Sequence, residues 1–134
     1  MIKTLKNRRG MTLIEIMIVL AILGSIMAIL GNKFTGARDK AKIREAKIAM
    51  GEISKALSMY YNDCGKYPVG LENLEKADPS CSAWGPTAYM KKVPKDPWDR
   101  TFIYEASSGE FTLMSLGRDG AEGGSDFDAD ITLE

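Results

Sequence analysis

The stretch from Arg8 to Leu30 reads RRGMTLIEIMIVLAILGSIMAIL. From Met11 to Gly31 its polar side chains are two hydroxyls and one carboxylate, that of Glu15. An apolar run of about 21 residues is long enough to cross the roughly 30 Å hydrocarbon layer of a bilayer as a helix. The run therefore predicts a membrane-spanning helix over residues 11–31, and the acid within it needs a physical reason.

Basic residues stand before the apolar run. The first ten residues carry four basic side chains and no acid. A secretory signal peptide also begins with basic residues, but its apolar core is roughly 7–15 residues long and a small-residue cleavage site follows it. No A-x-A pattern follows this run. We therefore expect a single-pass anchor, with the N-terminus in the cytoplasm and the bulk of the chain outside it.

The position of Glu15 has two interpretations. An acid at the centre of a membrane helix costs on the order of 3 kcal/mol, and less near the interface. Glu15 lies about one turn from Met11, so its carboxylate could simply reach the headgroups. Alternatively, a positive charge meets it at the same depth. Cleavage after Gly10 would supply that charge, because it creates a new α-amino group on Met11.

The residues from Arg8 to Glu15, RRGMTLIE, resemble the type III signal of type IV pilins and type II secretion pseudopilins. The resemblance implies that residues 1–10 are a leader peptide, which a prepilin peptidase removes by cutting between Gly10 and Met11. It also implies that Met11 becomes N-methylated. Glu15 would then pair with the Met11 ammonium of a neighbouring subunit during filament assembly, so that burial of the acid is coupled to docking.

The composition argues against two other classes of protein. Net charge is zero, from 18 basic and 18 acidic residues, so nothing indicates a nucleic-acid partner. The absence of histidine removes the commonest general base and a common metal ligand. We therefore expect no enzyme. The length of 134 residues allows one small domain beside the anchor, over residues 32–134.

The segment after the anchor is amphipathic. Apolar residues recur every three or four positions, which is one stripe of a helix: Ile43, Ala46, Met50, Ile53, Leu57 and Tyr60. Anchor and stripe predict one helix of about 50 residues. It should end near Cys64, because Gly65 can adopt the left-handed conformation of a C-terminal cap.

The rest of the chain predicts a small head. We expect a short helix at Leu71–Leu74 and two strands, Thr101–Glu105 and Phe111–Ser115, joined by a hairpin at Ser107–Gly109. The fold class is therefore α+β: a long N-terminal helix packed against a small antiparallel sheet, as in pilins. The aromatic residues of this region are expected to pack in the core and loops.

Cys64 and Cys81 do not show the spacing of a zinc site. They are either buried free thiols or a disulfide of an oxidising compartment. We predict the disulfide, which would stabilise the head by roughly 3 kcal/mol in the chain-entropy description.

The segment from Leu116 to Ile131, LGRDGAEGGSDFDADI, alternates glycines and carboxylates. It is either a solvated acidic tail or a calcium loop, in which aspartates supply hard oxygen ligands and glycines let carbonyls turn inward. The order of residues is not that of an EF-hand, so the motif alone leaves both possibilities open.

A second resemblance covers nearly the whole chain. GKYP, VPKDPW, SLGRDG and DADI together resemble the major pseudopilins of type II secretion. This resemblance implies one structural calcium ion in the C-terminal loop. Its ligands would be the side chains of Asp119, Asp128 and Asp130 and the carbonyls of Leu116 and Ala121. Asp126 completes the candidate set, its alignment depending on the length of the glycine-rich insert.

The function implied is a structural subunit of a helical homo-oligomeric filament, assembled from the inner membrane, that pushes secreted proteins across the outer membrane. Implied partners are the minor pseudopilins, the prepilin peptidase and the inner-membrane assembly platform. Two alternatives stay open: a type IV pilus subunit for adhesion or motility, and a membrane-anchored periplasmic calcium-binding module that forms no polymer.

Overall fold

The computed structural model describes residues 10–133, apart from the side chains of residues 32–34. One long helix, α1, covers Leu13–Cys64 and is 52 residues long. Three strands follow: β1 at Ile103–Ser107, β2 at Glu110–Ser115 and β3 at Ile131–Leu133. Short 3-10 turns occupy Leu71–Leu74 and Asp126–Asp128. The long helix and the small antiparallel sheet confirm the predicted α+β class.

The chain divides into two compact units, one ending at Ala37 and the other beginning at Arg38. In the first unit every described residue from 10 to 31 is exposed, including the large apolar side chains. Among the described residues, α1 is the one helix long and apolar enough to cross a membrane. The division follows contacts and locates no membrane boundary, so the limits 11–31 and 32–134 stay predictions. The predicted leader, apart from Gly10, lies outside the described residues.

The predicted apolar stripe of α1 forms the helical side of the core of the second unit. Ile43 is half-buried, and the other members are buried: Ala46, Met50, Ile53, Leu57 and Tyr60. The helix ends at Cys64 as expected, and Gly65 has a φ of 72°. Its N–H donates to the carbonyl of Tyr61 at 2.8 Å, which satisfies one of the last free carbonyls of the helix.

The sheet has the order β1-β2-β3, and both pairs are antiparallel. Gly109, in the turn between β1 and β2, has a φ of 89°, a conformation that glycine adopts without strain. β1 begins two residues later than predicted, at Ile103. The reason is a closed loop before it: the Asp96 N–H donates to the carbonyl of Arg100 at 2.8 Å, and the Arg100 N–H donates back to the Asp96 carboxylate.

Asp96 is the centre of this proline-rich loop and is buried. Its Oδ1 accepts hydrogen bonds from the N–H groups of Trp98 and Arg100, at 3.1 and 2.8 Å. Its Oδ2 accepts from the hydroxyl of Ser115, at 3.0 Å. Since Trp98 and Arg100 belong to the loop and Ser115 is the last residue of β2, the Asp96 carboxylate joins the loop to the end of β2.

β3 was not predicted. It pairs Ile131 with Ser115 and Leu133 with Leu113, and Ile131 joins the core. The solvated-tail interpretation of this segment is therefore wrong at its C-terminal end. A strand of three residues is too short to show the alternation by which strands are recognised in a sequence.

The predicted disulfide between Cys64 and Cys81 is present. It joins the last residue of α1 to the loop that follows Leu71–Leu74. Cys81 is buried in the core, and the aspartate three residues before it, Asp78, accepts a hydrogen bond from the buried hydroxyl of Tyr60. The loop is thus fixed to α1 by a covalent bond and by a buried polar contact.

Candidate functional site

Glu15 has a partner in its own helix. The Glu15 N–H donates to Thr12 Oγ1 at 3.3 Å, and the Thr12 N–H donates to Glu15 Oε2 at 3.4 Å. This reciprocal arrangement is a capping box, which satisfies two backbone donors at the start of a helix. The pattern Thr-x-x-Glu before an apolar run is its sequence signature, and sequence reasoning missed it.

The residues predicted for processing and assembly lie together at this helix start. Gly10 and Met11 precede the cap, and both are exposed. No described side chain or distant backbone atom lies within 4 Å of the place where a Cβ of Gly10 would be. The Gly10–Met11 bond is thus uncovered by the described part of the chain.

The acidic loop between β2 and β3 is compact. Five of its residues have positive φ: Gly117, Gly120, Gly123, Gly124 and Asp126. A Cβ on Gly117 would lie 2.6 Å from the Ala129 carbonyl oxygen, and one on Gly124 would lie 2.5 Å from that of Asp128. Glycine is therefore required at these two positions by close backbone approach as well as by φ.

Arg118 joins the loop to α1. Its Nε and Nη2 donate to the two oxygens of Asp128, at 2.8 and 3.1 Å, and its Nη1 donates to Asp39 Oδ2 at 3.0 Å. The hydrogen bonds from the guanidinium hold the pKa of Asp128 below its ordinary value, and the two carboxylates raise the pKa of Arg118 further. Sequence reasoning did not single out Arg118 or Asp39, because a single arginine among acids carries no motif.

Asp119 and Asp130 accept hydrogen bonds from backbone N–H groups within the loop. Asp130 Oδ2 accepts from the Gly123 N–H at 2.9 Å, and Asp119 Oδ1 accepts from the Ala121 N–H at 3.1 Å. Asp130 Oδ1 is buried and has no hydrogen-bond partner among the described residues. Leu116, a predicted carbonyl ligand, is half-buried directly after β2.

The oxygen donors of these residues are of the kind that calcium prefers. The donors are hard carboxylate and carbonyl oxygens, and the Asp130 oxygen without a partner is one that a cation would satisfy. The carboxylates lie in one loop but are not gathered: among the described residues, no group of three acids or cysteines is placed to hold a metal ion. Asp128 in particular is engaged by Arg118. The calcium ligand set stays a prediction.

Comparison with known proteins agrees with this architecture. Residues 33–134 match the family described as type II secretion system protein G, and residues 5–31 match the prokaryotic N-terminal methylation motif. Type II secretion system core protein G of Pseudomonas aeruginosa is 43% identical over 134 residues, covering 94% of each chain. That of Escherichia coli K12 is 34% identical, covering 94% of this chain and 90% of the relative.

A solved structure is also similar. The crystal structure of the major pseudopilin of the type 2 secretion system of enterohaemorrhagic Escherichia coli superposes with a TM-score of 0.60 and 25% identity, covering 72% of this chain and 86% of that one. A methylation motif on a long apolar helix, followed by this small head, places the chain in the class of pilin-like proteins. More specifically, the chain belongs to the type II secretion system protein G family. The apolar helix and this family support anchoring in a membrane.

Proposed function

We propose that this chain is a structural subunit of the type II secretion pseudopilus. Copies assemble from the inner membrane into a helical filament that drives protein export across the outer membrane, and the chain catalyses no reaction itself. The observation that carries the proposal is the joint match of residues 5–31 and 33–134 to the methylation motif and to protein G. The anchor spans the inner membrane once, and the head lies in the periplasm with the minor pseudopilins.

Processing prepares the subunit for assembly. The prepilin peptidase removes residues 1–10 and methylates Met11, and the inner-membrane platform then takes up the mature chain. The exposure of Gly10 and Met11 supports access of the peptidase to this bond. The new ammonium of one subunit lies at the depth of Glu15 in its neighbour, where the two opposite charges lower each other's cost in a medium of low dielectric.

The capping box supplies a rival explanation of Glu15, and one substitution separates the two. Glutamine at this position keeps a capping box but loses the charge, so E15Q should form no filaments if charge pairing drives assembly. The matched control, T12A, removes the cap hydroxyl and keeps the charge, and it should still form filaments. Both are measured by electron microscopy of sheared filaments from cells with the complete secretion apparatus. Normal filaments from E15Q would contradict the charge-pairing role.

A structural calcium ion is the second part of the proposal. Asp119, Asp128 and Asp130 would bind it through side chains, with Asp126 as a further candidate, and Leu116 and Ala121 through carbonyls. When bound, the ion would neutralise the carboxylates of this loop and hold it more firmly. The unpartnered oxygen of Asp130 and the closely packed glycine turns support this assignment.

Thermal melting of the full chain in detergent tests the calcium site. An ion at about 100 times its dissociation constant stabilises by about 2.7 kcal/mol, which is on the order of 10 °C for a unit of this size. D130N should lose the calcium-dependent shift. E105Q, which removes the same charge from an exposed position of β1, should keep it. Identical melting of the unsubstituted chain in calcium and in chelator would contradict the proposal.

A further inference from the structure

The guanidinium of Arg118 occupies both oxygens of a carboxylate that the calcium proposal needs. Two parallel hydrogen bonds join Arg118 to Asp128, and a third joins it to Asp39 on α1. Such bidentate pairs are among the stronger and more directional contacts that a carboxylate makes. Asp128 therefore has a cation already, supplied by its own chain.

Further contacts fix Arg118 in this place. Its N–H donates to the Phe127 carbonyl at 3.2 Å, and its guanidinium carbon lies 5.8 Å from the centre of the Phe127 ring. Its own carbonyl accepts from Nη2 of Arg100 at 2.9 Å. Main chain and side chain of Arg118 thus both connect the two ends of the acidic loop. Arg118 side-chain exposure is 45%, so water can reach the guanidinium and the contact can exchange.

We propose that Arg118 is the internal counter-cation of the acidic loop: it attaches the loop to α1 through Asp39, and calcium must take Asp128 from it. The competition between Arg118 and calcium rests on the proposed calcium function. The attachment of the loop to α1 stands on the three hydrogen bonds alone.

The space around the guanidinium allows this exchange. A cavity of about 520 Å³ lies between α1 and the loop, lined by Lys40, Ile43, Arg118 and residues 125–128. Arg118 borders this open space, which leaves room for its side chain to move. Calcium binding would then exchange the cation on Asp128, a guanidinium for a metal ion.

The direction in which each substitution changes calcium affinity shows whether Arg118 competes with calcium or only stabilises the loop. R118Q removes the competitor, so calcium should bind more tightly, by about fivefold given the strength of a partly exposed pair. D39N leaves the guanidinium to Asp128 alone, so calcium binding should stay unchanged or weaken. R44Q removes an equal charge from an exposed position of α1 and serves as the matched control.

Two measurements on the full chain in detergent micelles test the inference. Calorimetric titration with calcium chloride gives the affinity, and hydrogen exchange in chelator gives the protection of the Arg118, Gly123 and Asp128 amides. We expect tighter binding in R118Q but not in D39N or R44Q, and faster exchange of the loop amides in R118Q. Unchanged or weaker calcium binding in R118Q would overturn the competition, and unchanged exchange in chelator would overturn the attachment.

The calcium proposal can fail separately. If neither the unsubstituted chain nor any of the variants binds calcium, the proposed calcium function is wrong. Loss of amide protection in R118Q then still supports the attachment of the loop by Arg118, and retained protection overturns it.

Discussion

Removal of the disulfide should destabilise the head by an amount that depends on the length of the loop it closes. Cys64 and Cys81 are 17 positions apart, and closing a loop of this length in the unfolded chain corresponds to about 3 kcal/mol. Substitution of both by alanine also removes a buried sulfur at Cys81, which adds about 1 kcal/mol. For a unit of roughly 100 residues, 3 kcal/mol lowers the melting temperature by about 15 °C.

Urea unfolding of the full chain in detergent, followed by near-ultraviolet circular dichroism, measures this effect. Three samples separate its parts: the oxidised chain, the chain reduced with dithiothreitol, and C64A/C81A. The reduced chain should lose the loop-closure contribution, and the double variant should lose slightly more. Dithiothreitol should leave the double variant unchanged, which controls for effects of the reagent. Oxidised and reduced chains that unfold within about 0.5 kcal/mol of each other would refute the reasoning.

Three further predictions concern the head, each measured as the free energy of urea unfolding. D96A leaves two part-buried N–H groups and one buried hydroxyl without an acceptor and should cost about 3 kcal/mol. D99N at an exposed position, where asparagine tolerates the φ of 63°, should cost far less. G117A forces a side chain into a positive φ and against a backbone oxygen and should cost about 2 kcal/mol. Burial raises the pKa of Tyr60 to about 12, so stability should be constant below the ordinary tyrosine pKa of about 10 and fall between pH 10 and 12; Y60F should remove that part of the fall.

Periodicity and turn chemistry in the sequence were sufficient for most of the fold. The stripe that begins at Ile43 identified the buried face of α1, and Gly65 identified its end. The hairpin followed from Gly109 between two runs of strand-forming residues. These features depend on neighbours in the chain, and they could therefore be predicted without knowledge of tertiary contacts.

What the sequence did not reveal depends on distant partners. β3 is a strand because Ile131 finds Ser115, and β1 starts late because Asp96 closes a loop with Arg100. Arg118 meets Asp39 across 79 positions of sequence, a pairing that no local pattern indicates. The capping box of Glu15 is different: its signature, threonine followed three residues later by glutamate, is local and can be recognised from the sequence alone.

Processing and assembly are tested together by the intact mass of the chain recovered from purified filaments of cells that contain the prepilin peptidase. The mass should be that of a chain that begins at Met11, carries one methyl group on its N-terminus and has Cys64 and Cys81 bridged. A chain that still begins at Met1, in filaments or as the sole form in the membrane of secreting cells, would contradict the proposed function.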